Sequence, residues 1–214
     1  MTQQVNKGDF ILLNFEGKLE NGQVFEKTPP NRPTLVVAGE GNLISGLDKA
    51  IIGLNVAEHK NAKFAPAEAF GLRSEDLVKL VTISHFRKSN VNPQVGMMVE
   101  LDGHRAKILS VEGGRVKVDF NHELAGKSIE YTYWVDSIFS TPIEKSIAAA
   151  KNILNIEKQN VSLTGTCLKV IVPNKVNKDA NYFVAKSRLV SMVLVNISEI
   201  YKVEIVEEFE KGKK

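Results

Sequence analysis

The side chains suited to proton transfer, metal ligation or nucleophilic attack are scattered through this chain. His59, His85, His104 and His122 have no second ligand at metal spacing, and each reads as a surface or core histidine rather than a ligand. Cys167 is the only cysteine, which excludes an intramolecular disulfide, and its apolar setting from Leu163 to Val172 points to an inert, buried thiol. No Walker loop, dinucleotide fingerprint, Gly-x-Ser-x-Gly elbow or Cys-x-x-Cys pair occurs, and Gly39-Glu40-Gly41 fits a turn better than a phosphate cradle. What gathers beside the turns is apolar: Phe15, Phe25, Val36, Leu43, Ile44, Leu47, Phe70 and Tyr131. By itself that set describes a hydrophobic core.

The elements that carry these residues can be read from period and punctuation. Residues 9 to 19 are apolar-rich and end in Glu20-Asn21-Gly22, a hairpin signal because Asn and Gly both accept positive φ. Pro29, Pro30 and Pro33 then form a rigid loop before the strand candidate Leu35-Val36-Val37. Ser45 followed by Asp48 reads as a capped helix start, with Leu47, Ala50, Ile51 and Leu54 on one face and Gly53 and Asn55 ending it.

After Phe70-Gly71 the character changes. Turn signals at Asp102-Gly103 and Gly113-Gly114 bracket alternating segments, Val99 to Leu101 and Arg115 to Phe120, so residues 76–127 read as a small β-rich domain. Tyr131 to Val135 resumes as an aromatic strand. Thr141-Pro142-Ile143-Glu144 is a capping box with proline at the first helical position, and Ile143, Ile147, Ala150 and Leu154 follow at helical spacing. Beyond it Val161 to Val172 reads as strand, Lys178 to Lys186 as a helix candidate, and Leu189 to Phe209 as one or two strands. The fold class expected is α+β.

Composition is that of a soluble globular protein, 43% hydrophobic and 25% charged over 214 residues. The opening residues lack the order of a signal peptide, and no apolar run is long enough to cross a bilayer, so a cytoplasmic location and no membrane partner are expected. The net charge of +3 is mild, and Lys117, Lys127 and the terminal lysines lack the aromatic-basic interleaving of an RNA-binding motif. An RNA or ribosome module therefore ranks third among the readings, and no nucleic-acid partner is expected.

The order of three motifs adds a resemblance to this reading. Phe15 to Glu26 resembles the opening hairpin of FKBP-type peptidyl-prolyl isomerases, Leu43-Ile44-Ser45-Gly46-Leu47-Asp48 resembles the segment where an apolar pair enters a short helix under the active site, and Ala69-Phe70-Gly71 resembles that family's Ala-Tyr-Gly loop. The SlyD branch is the most similar, because its insert-in-flap domain follows that loop; Leu77-Val78, Gln94 to Met97 and Asn121 to Gly126 are similar to that insert. The resemblance covers roughly residues 5 to 140, and long archaeal members carry a further C-terminal domain.

The resemblance implies an FKBP-like antiparallel sheet wrapped on a short helix (1–75 and 128–140), an inserted domain (76–127) and a C-terminal α+β domain (141–214). It also implies prolyl cis/trans isomerisation in an apolar cup walled by Phe15, Phe25, Val36, Leu43, Ile44, Phe70 and Tyr131, with Leu47 as floor and Glu26 at the position of the usual aspartate. Phe70 departs from the family's tyrosine, whose hydroxyl donates a hydrogen bond. Phe86, Met97 and Met98, with Val91, Leu101 and Ile108, would be either an adaptable surface for unfolded chains or the insert's own core. No cofactor is expected, and without the family's histidine-rich tail no metal role is expected. Partners would be proline-containing peptides and unfolded polypeptides. An exposed apolar strand from Leu189 to Ile197 would favour a homodimer through the C-terminal section. A non-enzymatic chaperone with an altered cup is the second reading.

Overall fold

The structure, a computed structural model, describes residues 3–88, 90–174 and 176–209. In chain order its elements are β1 (Phe10–Leu19), β2 (Val24–Lys27), β3 (Thr34–Val37), α1 (Ser45–Ala50), β4 (Lys60–Phe64), β5 (Val78–Thr82), α2 (Ile83–Lys88), β6 (Met98–Leu101), β7 (His104–Glu112), β8 (Arg115–Asp119), β9 (Ile129–Phe139), α3 (Pro142–Leu154), β10 (Val161–Thr164), β11 (Cys167–Val172), α4 (Ala180–Asn196) and β12 (Lys202–Glu207). Three separate sheets and segregated helices make the α+β class. Two compact units divide the chain: 1–62 with 130–214, and 63–129.

The first unit is built on β1, which pairs antiparallel with β2 and β3 along one edge; the sheet order is β2-β1-β9-β4. Strand period decides what each face of β1 meets. Phe10 and Leu12, opposite Val37 and Leu35, belong to a core shared with Ala149, Leu154, Leu168, Val170, Leu189 and Val193 of the C-terminal section. Ile11 and Leu13, opposite Val36 and Thr34, are fully buried on the other face. Residues 141–209 thus close over one side of the first sheet and share its core rather than forming a core of their own.

Within that section α3 starts as its sequence predicts. Thr141 accepts from the Glu144 backbone N–H, Glu144 accepts from that of Thr141, and Pro142 occupies the first turn. Val161 to Val172, expected as one strand, is a hairpin of β10 and β11. The stretch from Leu189 to Ile197, expected as an exposed strand, is the second half of α4 with Ile197 as its C-cap, and of Leu189 to Phe209 only β12 is strand. Asp179 caps α4 through the Tyr182 N–H, and Tyr182, Leu189, Val193 and Ile197 lie buried. A helix is required here because β11 and β12 run parallel, and parallel neighbours need a crossover. The exposed strand invoked for a homodimer is therefore a helix.

The helix start expected at Ser45 also differs. Ile44 occupies the cap position with no side-chain cap bond. Asp48 instead accepts from the N–H groups of Gly39 (3.1 Å) and Gly41 (2.9 Å), both at positive φ, and so fixes the turn that leads into α1.

The second unit carries a four-stranded antiparallel sheet of order β5-β8-β7-β6 with α2. Phe86, Leu101, Ala106, Ile108, Val116 and Val118 form its core. The unit starts earlier than the expected residue 76 because the 66–74 segment is tied to the end of the insert. Ser74 and Asn121 exchange two hydrogen bonds of 2.9 Å, Gly126 N–H donates to the Gly71 carbonyl at 2.8 Å, and Arg73 pairs with Asp119 at 2.6 Å.

Candidate active site

The hairpin of β1 and β2 sets Gly17 directly opposite Glu26, with a register irregularity between Gly17 and Lys18. Glu16 beside them accepts from Lys18 and Lys27, whose ammonium groups hold its carboxyl down to about 2. On β9, Tyr131 is 1% exposed and receives both hairpin aromatics edge-on: Phe15 at 5.8 Å and 68°, Phe25 at 5.8 Å and 87° between ring planes. Edge-to-face contact of this kind contributes roughly 0.5–1.5 kcal/mol per pair beyond burial. The Tyr131 hydroxyl donates to Glu26 Oε1, which fixes the phenol ring. Desolvation pushes the Glu26 carboxyl above its ordinary value, although the residue keeps an exposed side.

Gly17 explains how three rings fit so closely. A Cβ on it would lie 2.7 Å from Phe25 Cζ and 3.0 Å from Tyr131 Cε1, closer than carbon atoms approach without displacement. The glycine is inside a strand, a position that marks a bulge or a close approach. In the sequence its one signal is a glycine inside the first strand of the Phe15 to Glu26 hairpin.

Phe15, Phe25 and Glu26 of the first hairpin are therefore brought together by Tyr131 on a strand more than a hundred residues later. Val36 (4% exposed) and Leu47 (1%) are buried, while Leu43 and Ile44 are half-buried on the approach to α1 that Asp48 orders. Phe70 belongs to the second unit, where its ring stacks on His122 at 4.5 Å, nearly parallel. Phe86 is 2% exposed at the centre of the insert core, so of the residues named for a substrate-holding surface only Met97 and Met98, 41% and 48% exposed, are available to one. Among the described residues no three His, Cys, Asp or Glu side chains gather as a metal site would require. The hairpin and β9 thus gather three aromatic rings beside one carboxylate.

Residues 1–81 match the model of the FKBP-type peptidyl-prolyl cis-trans isomerase family, and residues 79–124 match that of the "FKBP26, IF domain". A Short-type peptidyl-prolyl cis-trans isomerase of Methanocaldococcus jannaschii is 32% identical over 64% of this chain and 96% of its own. The FKBP-type 16 kDa peptidyl-prolyl cis-trans isomerase of Escherichia coli K12 is 30% identical over 61% of this chain and 91% of its own. The SlyD isomerase of Haemophilus influenzae is 27% identical over 66% and 76%. No helix among the described residues is long and apolar enough to cross a membrane. With an aromatic hairpin of this geometry, and with a relative 32% identical and matched over 96% of its own length, the chain belongs to the FKBP-type peptidyl-prolyl cis-trans isomerase family.

Proposed function

We propose that the chain is a peptidyl-prolyl cis/trans isomerase and folding helper of the cytoplasm, with the proline ring held between Phe15, Phe25 and Tyr131 over Leu47, and with Val36, Leu43 and Ile44 completing the cup. The observation that carries this is the edge-on approach of Phe15 and Phe25 to a buried Tyr131. Rotation about a prolyl bond faces a barrier of about 18–20 kcal/mol because resonance stiffens the C–N bond. No proton or covalent bond has to move. The twisted amide has lost that resonance and carries less charge separation than the planar one, so a dry aromatic site disfavours the planar state more. The hydroxyl of Tyr131 is already engaged by Glu26, so Tyr131 acts as a wall rather than a donor.

A donor is what Phe70 lacks. Replacing Phe70 by tyrosine restores one hydrogen bond to substrate, of about 0.5–1.5 kcal/mol, and is expected to raise turnover several-fold. The assay is cis/trans exchange in a short Phe-Pro or Leu-Pro peptide with and without protein. Equal turnover by both forms would remove the role of that hydroxyl, and no acceleration by folded wild type would leave the chain a pure chaperone.

In this proposal residues 76–127 capture unfolded chains. Support comes from Met98 on the edge strand β6 and from Val95 and Met97 just before it, which are exposed although the insert's core is complete without them. Changing Met97 and Met98 to serine is expected to weaken suppression of aggregation of an unfolded client several-fold while prolyl exchange in a short peptide stays constant. Unchanged suppression would refute this role for the pair.

A further inference from the structure

We propose that the first unit carries a second polypeptide-binding groove, on the face of its sheet opposite the cup, which takes an extended apolar segment bearing one acidic and one basic residue. Two adjoining clefts of 690 and 390 Å³ share Phe139 and Ile147 as a common waist. Leu12 and Pro33 add apolar lining at the larger end. Leu12 lies on the β1 face away from Phe15 by strand period, so this groove does not belong to the cup.

Its long wall is a single stripe of α3. Glu144, Ile147, Ala148 and Lys151 recur at three- and four-residue spacing and therefore line up along one side of the helix, with Asn155 lining the groove just past its end. Charge is distributed unevenly along that line. The larger cleft has Arg32 and Lys151, the smaller has Asp136 and Glu144. Lys151 is already engaged by Asn155 (2.8 Å) and Glu157 (2.7 Å), and Glu144 by Thr141. Arg32 and Asp136 are exposed and make no ion pair among the described residues, so each is available to an incoming group of opposite sign. The complementary ligand is a chain with an acidic residue toward Arg32, a basic residue toward Asp136 and apolar side chains on the Phe139–Ile147 waist.

The helix also sets the spacing. Glu144 and Lys151 already have partners but mark the acidic and basic ends of the stripe, beside Asp136 and Arg32 respectively. The two ends are about 10 Å apart along the axis, which an extended chain covers in roughly three residues. An acidic and a basic residue three positions apart, with two apolar residues between them, match the groove. Either chain direction satisfies this, because the recognition is through side chains.

The test uses fluorescein-labelled, proline-free hexapeptides centred on Asp-Leu-Phe-Lys, Asp-Leu-Phe-Asp and Lys-Leu-Phe-Lys, with anisotropy read on the full chain. Wild type is expected to bind the mixed peptide about fivefold more tightly than either uniform one. Arg32→Glu should shift the preference to Lys-Leu-Phe-Lys, and Asp136→Lys to Asp-Leu-Phe-Asp, with thermal midpoints unchanged. Prolyl exchange should be the same in all three proteins, so failure of the groove and failure of the isomerase reading are separately visible. The same rank order in all three, or no binding by wild type, overturns the proposal. Should either variant unfold, a benzophenone replacing the phenylalanine of the mixed peptide decides the matter on wild type: adducts at Pro33, Phe139 or Ile147 support the groove, and adducts elsewhere exclude it.

Discussion

Gly17→Ala is expected to lower the catalysed rate of prolyl exchange by roughly 10- to 100-fold in a chain that stays folded. Alanine in a strand is ordinarily no burden, and exchanging glycine for it restricts the unfolded chain and adds slightly to stability. Gly17 has no positive φ that would make alanine strained. The only obstacle is the pair of rings, 2.7 Å from Phe25 and 3.0 Å from Tyr131. Tyr131 is buried and tied to Glu26, so the displacement falls mainly on Phe25, the half-buried member, which swings outward and opens the cup. Activity and stability should therefore part company, and this separates a site residue from a structural one. Wild-type kcat/KM in the alanine variant would mean that Phe25 does not hold the proline ring. Phe25→Ala, which removes the wall outright, should reproduce the loss.

Phe10→Ala should cost about 3–5 kcal/mol, the usual range for truncating a fully buried phenylalanine. The informative part is where the loss is felt. Phe10 sits on the first sheet but packs in the core that Leu168, Val170, Leu189 and Val193 complete. Trp134 on β9 reports the first sheet and the lone Cys167 on β11 reports the second. In denaturant, tryptophan fluorescence and thiol labelling should move to lower midpoints together and by the same amount. A shift of the fluorescence alone would mean that residues 141–209 fold as an independent domain.

The sequence was most readable where local chemistry decides the structure. Asn21-Gly22 makes the first hairpin and Thr141-Pro142-x-Glu144 opens α3 because turn and cap preferences act within a few residues. Asp48 misled because its spacing from Ser45 imitates a cap, whereas its real partners, Gly39 and Gly41, lie outside the helix. The segment from Leu189 to Ile197 misled for a different reason. Exposed Leu194 and Val195 fill the helix's outer face and erase the period that Tyr182, Leu189 and Val193 would otherwise display, so valine-rich composition argued for strand. Asp179 was the overlooked signal, a cap residue one position before the helix begins. In the site, the aromatic residues were nameable one by one through a family resemblance, but the bond from Tyr131 to Glu26 spans 105 residues and no local pattern records it. The close approach at Gly17 was equally hidden, since it needs all three strands in place.

The strand order β2-β1-β9-β4 has a consequence for how the chain comes into being. Strand β1 is made early, and its central partner β9 follows only after roughly 120 more residues, which at ordinary ribosome speeds is on the order of ten seconds. The intervening unit, 63–129, is continuous and can complete its own sheet as it emerges. The first three strands cannot. Through that interval Phe10, Leu12, Leu35 and Val37 have neither the neighbouring strand nor the later helices that will cover them, and such non-local pairing is slow and open to aggregation. During its own synthesis the nascent chain therefore exposes the kind of surface it is proposed to shield in others.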